Sequence, residues 1–397
     1  MSEWDWRRLD ALATLKMGQS PSGQFVEELE DGIPFLQGNA EFGEHFPTAT
    51  FQCGDAPRRC QKGDSLISVR APVGAINRSD REYGIGRGLA AITFARIYSS
   101  YGHHALLEHA RGLHRVSQGT TFLAIGRPDL AALKIPHPPV GEQRRIAEIL
   151  DTIDETIQAT ERVIVKHQQI RSGLAADLLT QAVERFDGGN RNPMTYEAHS
   201  PEWRKCQLGD IGTIVGGGTP ARDNARCWDG LIPWLTPGEL TSSNEKFVFE
   251  TDEKISFRGL AESGARWVPA GSLLMTSRAS IGFCALAGTP MTTNQGFKNL
   301  IPRTDVDSSY LFHLGQTLQR EMIRRASGTT FLEISSREFG RIEIRMPPLG
   351  EQRRIARILD SADDAIRAHE VERDKLRALR SGLAADLLSG RVRTVAA

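Results

Sequence analysis

The sequence predicts an α+β protein in which two mixed α/β globules are joined by two long antiparallel coiled-coil helices, with a pseudo-twofold internal repeat. Three observations predict it. The phrase GEQRRIAEILD at Gly141 returns as GEQRRIARILD at Gly350. Aligned without a gap, residues 141–179 and 350–388 agree at 24 of 39 positions, and both stretches close on RSGLAADLL. Upstream the correspondence continues at drifting offsets: GTTFLAI at Gly119 with GTTFLEI at Gly328, RAPVG at Arg70 with RASIG at Arg278, and IPFL at Ile33 with IPWL at Ile232. The chain is therefore a tandem duplication of about 200 residues, each copy with a divergent front and a near-invariant back.

In order along the chain, the first globule is expected over 1–135, a first long helix over 136–184, a linker over 185–200, the second globule over 201–344 and a second long helix over 345–393. The fronts hold short β-favouring runs (SLISV, AAITF, FVFE, RIEIRM) broken by Gly, Pro and Asn, with helical patches such as SSYLFHLGQTLQREMIRRA from Ser308. In the first back, Ile146, Leu150, Ile153, Ile157, Ile164, Leu174 and Leu178 fall on an alternating four–three spacing, with Thr160, His167 and Arg171 as polar interruptions. Ile355, Leu359, Ala362, Ile366, Leu376, Leu383 and Leu387 do the same in the second. One apolar stripe per helix must be buried, and the other copy, packed antiparallel, is the expected partner. Pro138–Pro139 and Pro347–Pro348 stand just ahead of each helix, and Glu142 and Glu351 occupy the favourable first turn. The segment RFDGGNRNPMTYEAHSPE reads as linker by composition.

The 49 basic and 49 acidic residues cancel, which argues against a protein that coats nucleic acid indiscriminately but leaves room for local basic patches. No apolar run approaches the roughly 20 residues that cross a bilayer, and MSEWDWRRLD lacks a signal-peptide core. Five scattered cysteines with no C-x-x-C pair support neither a disulfide framework nor a zinc site. A cytoplasmic protein with reduced thiols, bound to no membrane, is expected.

A variable globule, PPVGEQRRIAEILD…RSGLAADLL, a second globule and PPLGEQRRIARILD…RSGLAADLL together resemble the DNA-specificity subunit of type I restriction–modification systems, over essentially the whole chain. The resemblance implies that each globule reads one half of a split double-stranded DNA target. It implies that the helices form a spacer docking two methyltransferase subunits, with a restriction (translocase and nuclease) subunit as a further partner where one exists. It also implies that this chain binds no cofactor or metal. S-adenosylmethionine, and ATP with Mg²⁺ where a restriction subunit is present, would serve the partner subunits. Identical partners need equivalent docking surfaces whereas the half-sites differ, which accounts for constant backs and divergent fronts.

Base edges are read by Arg, Lys, Asn and Gln, and register is set by backbone contacts. The polar loops MGQSPSG (Gln19, Ser20) and FLQGNAEF (Gln37, Asn39) are candidate readers in the first globule, matched by GGGTPAR (Thr219) and WLTPGEL (Thr236) in the second. Arg70 pairs across the repeat with Arg278, and Arg87 with Gln295, beside Asn294 and Lys298. SQGTTF (Thr120, Thr121) and ASGTTF (Thr329, Thr330), common to both globules, suit backbone contact better than base discrimination. Ordinary surface turns and structural ion pairs are the alternatives. Glu142, Gln143, Arg144, Arg145 and their counterparts Glu351, Gln352, Arg353 and Arg354 are candidate partner contacts. Cations in a first helical turn oppose the dipole at about 0.3–1 kcal/mol each, and a partner's acidic surface or a DNA phosphate would compensate.

Catalytic patterns are missing. PDLAALK from Pro128 lacks the intervening acidic pair of a nuclease and reads as a helix start; NPMTY at Asn192 lacks the second proline of an adenine-methyltransferase motif; no G-K-[ST] follows a Gly-rich run. Two other readings stand beside the first: a coiled-coil protein adaptor that reads no DNA, and a single-chain methyltransferase or nuclease.

Overall fold

The structure, a computed structural model, describes residues 4–21, 26–110, 124–179, 203–243, 245–328 and 332–394. The expected linker 185–200 lies outside them, as do Thr120, Thr121, Thr329 and Thr330. The chain divides into two units, Met1–Arg162 with Glu370–Ala397, and Val163–His369.

In the first unit, Asp5–Arg8 pairs antiparallel with Lys134–His137, aligning Asp5 with His137. A four-stranded antiparallel sheet runs Ala13–Met17, Leu89–Phe94, Ser65–Ser68, Ile76–Arg78. A five-stranded sheet of short strands, Pro34–Leu36 and Tyr83–Ile85 among them, lies in the same unit. The second unit repeats the plan. Arg204–Gln207 pairs with Glu343–Met346, and the larger sheet runs Gly212–Gly216, Lys298–Pro302, Leu273–Met275, Cys284–Ala287, Phe247–Val248. A three-stranded sheet places Trp228–Leu235 between Lys254–Ile255 and Thr292–Thr293. The β-favouring runs of the sequence thus supply strands of these sheets, and the Ser308 patch forms two helices, Ser308–Thr317 and Gln319–Arg325. The four-stranded sheet of the first unit and the five-stranded sheet of the second each bury an apolar face: Ile67 and Ile92 in the former, Leu273 and Leu300 in the latter, are fully enclosed.

Two helices, Val140–Leu179 and Leu349–Leu388, begin later than the expected positions 136 and 345, the second ends before the expected 393, and residues 180–184 of the first expected span lie outside the described residues. The residues ahead of them are strands, Lys134–His137 and Glu343–Met346. The cause is the double proline, which presses the preceding residue into the extended region and leaves helix only beyond it. Past Leu388 the chain turns at Gly390, whose φ of +76° lies in the left-handed region that favours a residue without a Cβ.

Each unit's core takes in a segment of both helices. In the first, Ile146, Ala147 and Leu150 join Leu9, Leu12, Tyr101 and Ile135, together with Ala384, Leu387 and Leu388. In the second, Ile355, Ala356 and Leu359 join Leu208, Ile211, Tyr310 and Ile344, together with Leu179 and the partly buried Leu174 and Leu178. So within a unit the start of one long helix and the end of the other close under the same globule. At about 25 cal/mol per Å² of buried apolar surface, a fully enclosed Leu or Ile contributes roughly 1.5–3 kcal/mol, and this layer is a main source of cohesion in each unit.

Candidate nucleic-acid interface

In the second unit the edge strand Gly212–Gly216 runs into Gly217, which lies so close to the neighbouring chain that a Cβ there would stand 1.8 Å from the Asn294 carbonyl oxygen. Only glycine fits. The Gly218 N–H donates to the Thr293 carbonyl at 2.9 Å, holding the GGGTPAR loop against residues 293–296. The loop thereby delivers the Thr219 hydroxyl to Gln295 Oε1, to which it donates. From the other side, Trp228–Leu235 runs parallel to Thr292–Thr293, and the Asn294 N–H donates to the Leu235 carbonyl at 3.0 Å. The chain then enters the helix Pro237–Ser242, capped reciprocally by Thr236 and Glu239: the Thr236 N–H donates to the Glu239 carboxylate at 2.8 Å, and the Glu239 N–H to the Thr236 hydroxyl at 3.3 Å.

Arg278 comes to the same place by a tight turn. Thr276 Oγ1 accepts the Phe283 N–H at 2.9 Å and donates to the Ser280 carbonyl, while Ala279 (φ +58°) and Gly282 (φ +94°) take left-handed conformations. The result is an open cleft of about 340 Å³ bounded by Pro237, Thr241, Arg278, Ser280, Asn294 and Gln295. Arg278 and Gln295 are exposed and Asn294 is half-buried.

The first unit builds the same arrangement from different side chains. A Cβ on Gly18 would stand 2.1 Å from the Gly86 carbonyl oxygen, and the Gln19 N–H donates to Ile85 at 3.0 Å. The Arg87 N–H donates to the Ser20 hydroxyl at 3.4 Å, so Ser20 and Arg87 meet where Thr219 and Gln295 meet in the other globule. Gln37 follows Pro34–Leu36 and packs its carbonyl on Gly88; the Val69 N–H donates to Gly88, which sets Arg70 beside this cluster. Ser68 Oγ accepts the Ala75 N–H at 2.9 Å and donates to Pro72 at 2.6 Å, the counterpart of Thr276. Gln19, Ser20, Gln37, Arg70 and Arg87 are exposed; Asn39, half-buried, opens the short helical turn Asn39–Glu41.

Several expected contacts do other work. Thr236 is the helix cap just described. Lys298 is buried, 8% exposed, with its Nζ 3.0 Å from Glu333 Oε1, so it is a structural ion pair rather than a surface cation. Gln143 and Gln352, expected to meet a partner, are enclosed at 0% and 2% exposure. Gln143 accepts the Tyr98 N–H and donates to the Pro138 carbonyl, both at 2.8 Å; Gln352 accepts the Asp307 N–H at 2.9 Å and donates to the Pro347 carbonyl at 2.9 Å. Each glutamine thus satisfies the orphan groups at a helix start, and neither reaches the surface. Glu142 is buried under Arg393, whose Nε lies 2.7 Å from Glu142 Oε1 and whose hydrogen bond holds the carboxyl below the usual carboxylate range. Glu351, half-buried, accepts the Trp203 indole N–H at 3.0 Å. The arginines remain exposed: Arg145 donates to the Thr394 carbonyl at 2.7 Å, and Arg353 lies 3.9 Å from Asp307.

The sequence also carried residues whose role went unread. In the first unit His104 Nε2 meets Asp151 Oδ1 at 2.8 Å, Ser100 Oγ donates to Asp151 at 2.6 Å, and Arg380 pairs with Asp154 at 2.9 Å while reaching His104 Nδ1 at 3.4 Å. In the second, His313 Nε2 meets Asp360 at 2.7 Å, Arg171 pairs with Asp363 at 2.8 Å and reaches His313 Nδ1 at 3.4 Å, and Lys246 bridges Asp360 and Ser309. A guanidinium cannot accept, so Nδ1 must, and the proton of each imidazole sits on Nε2. Burial lowers the His313 pKa even against the pull of Asp360. Apart from Lys246, which stands opposite Gln37, every member of the clamp recurs at an offset of 209, and that recurrence of polar residues inside an apolar stripe was the available signal. Among the described residues, Glu44, His45 and Glu161 group as possible metal ligands, but the Arg377 guanidinium already bridges Glu44 and Glu161. No helix among the described residues is long and apolar enough to cross a membrane.

A family model described as the type I restriction modification DNA specificity domain matches residues 1–166 and 201–378. The chain is 38% identical over 167 residues to the type I restriction enzyme MjaIX specificity subunit of Methanocaldococcus jannaschii, a match covering 42% of this chain and 39% of that protein. It is 27% identical over 209 residues to the EcoR124I/EcoR124II specificity subunit of Escherichia coli, covering 51% and 50%. The matches thus span about two fifths to one half of these curated relatives. The fold is shared with the type I restriction–modification S subunit from M. genitalium, with a TM-score of 0.63 at 18% identity over 97% of this chain and 96% of that one. A second solved chain, from work on complex assembly and conformational transition of the type I R-M system, gives 0.60 at 19% identity over 99% of both.

Proposed function

Because this chain belongs to the type I restriction modification DNA specificity family, we propose that it is the address-bearing subunit of such a complex, each globule reading one half of a bipartite duplex. The observation that carries the reading is a division of labour. The clamps that seat each globule on the long helices share their serine, histidine, aspartates and arginine at an offset of 209, while the loop clusters built on Gly18 and Gly217 share their backbone and differ in side chain. A surface kept constant suits identical partners, and a surface with constant backbone and varied side chains suits different half-sites. In this reading the two long helices lie antiparallel as a coiled-coil spacer, related by a pseudo-twofold, and dock two methyltransferase subunits through exposed arginines such as Arg144, Arg145, Arg353 and Arg354. The chain itself carries no catalysis. The methyltransferases use S-adenosylmethionine to modify an adenine flipped out of each half-site, and a restriction subunit, where present, uses ATP and Mg²⁺.

The test is single-molecule sequencing of methylated adenines in cells expressing the chain with its cognate methyltransferase. Two dissimilar half-sites separated by a fixed run of unspecified bases are expected. Methylation with no sequence preference, or at one undivided motif, would sink the proposal.

A further inference from the structure

The cleft in the second globule has an uneven hydrogen-bonding character. Asn294 spends its carbonyl oxygen on its own turn, accepting the Gly296 N–H at 2.7 Å, which leaves its amide N–H groups for a ligand. Gln295 spends Oε1 on the Thr219 hydroxyl, which leaves its N–H groups likewise. Arg278, on the facing wall, has donors only. The Thr241 hydroxyl spends its proton on the Gly238 carbonyl at 3.1 Å, and the Ser280 hydroxyl can serve either as donor or as acceptor on a base, so neither supplies a dedicated donor. At the position of Gln295 the first globule has Arg87, a side chain with donors only.

Donors converging on one cleft select a base that offers acceptors. In the major groove guanine alone presents two side by side, N7 and O6; adenine offers one acceptor beside a donor, cytosine a donor, and thymine one acceptor beside a methyl. We propose that this cleft reads the major-groove edge of a guanine in the second globule's half-site, through the amides of Asn294 and Gln295 and the guanidinium of Arg278. The inference rests on the reading of the chain as a DNA-specificity subunit and adds the base to it. Thr219 acts as a positioning residue, since its hydroxyl holds the Gln295 side chain in place beside the cleft.

The wild-type complex with its methyltransferase tests this once its motif is sequenced. Duplexes carry 7-deazaguanine, which lacks the N7 acceptor, or inosine, which lacks only the minor-groove amino group, at each guanine of either strand in turn. One 7-deazaguanine in one half-site is expected to weaken binding by at least about fivefold, while inosine there changes nothing. In the isosteric variants Gln295→Glu and Asn294→Asp, each of which keeps its internal hydrogen bond and turns a donor outward into an acceptor, the same base pair is expected to become degenerate or switch, with the other half-site untouched. A motif whose half-sites lack guanine, or 7-deazaguanine tolerated everywhere, overturns the guanine assignment and leaves the bipartite reading standing. Deazaguanine sensitivity that persists undiminished in both folded variants moves the contact away from this cleft and overturns it as well. The absence of any bipartite motif is a failure of the parent reading instead.

Discussion

A side-chain amide enclosed at a helix start is judged by what it would leave behind. Replacing Gln352 with Ala strands the Asp307 N–H and the Pro347 carbonyl, and a buried polar group without a partner costs about 1–3 kcal/mol. Gln143→Ala does the same to Tyr98 and Pro138. Both variants are expected to unfold at lower urea concentration than the wild type, and undiminished stability would contradict the structural role. Titration acts at this scale too. Burial pushes the pKa of His103 well below its ordinary 6.5 and lowers those of His109 and His137. A group depressed on folding contributes stability that is present above its unfolded value and lost as pH falls, because the unfolded chain then binds the proton first. The unfolding midpoint is therefore expected to drop between about pH 7.5 and about pH 5.5, and to drop less in His103→Gln. Sequence could nominate these histidines and glutamines but could not orient them. Gln143 reads as a surface residue of a conserved-looking phrase until Tyr98, 45 residues away, is seen to need its oxygen.

At the scale of an element, the long helices were the most legible part of the chain. None of the apolar positions assigned to their stripes is exposed in the structure. Their limits were less legible, because the phrase that repeats begins with residues whose backbone is extended: repetition marks what two copies share, and the prolines mark where helix can begin. The clamp offers the test here. Asp363→Ala leaves the Arg171 guanidinium, only 20% exposed, without its carboxylate, and is expected to destabilise the second unit by about 1–3 kcal/mol in chemical denaturation. Gly217→Ala tests the reading loops instead. A methyl group 1.8 Å from the Asn294 oxygen must push the loop away, so sequence-selective DNA binding is expected to fall at least tenfold while the melting temperature changes little. The need for glycine there could not be read from GGGTPAR, since the atom it avoids belongs to a strand pairing 77 residues downstream.

For the whole molecule the proposed spacer makes a metrical prediction. One added helical turn in each long helix, roughly 3.6 residues, lengthens it by about 5.4 Å, while base pairs follow one another every ~3.4 Å. The unspecified run between half-sites is expected to grow by one or two base pairs with both half-sites unchanged, read again from methylated adenines; an unaltered run would refute the ruler. The duplication that led to this proposal was plain in the letters because it sits in the backs of the copies. The reading surfaces were only partly plain, and for the same reason: Ser20 with Arg87 and Thr219 with Gln295 hold equivalent places while sharing no residue type.

The seating of each globule by one imidazole, one hydroxyl and paired aspartates has a consequence for inheritance. Such a mount asks of its cargo chiefly one imidazole and one hydroxyl, and the helical stretches, identical at 24 of 39 positions, give recombination two matching places to cross over. An exchange between them would swap a whole reading head in a single event, so a lineage could acquire a new recognition sequence without rebuilding the enzyme that obeys it.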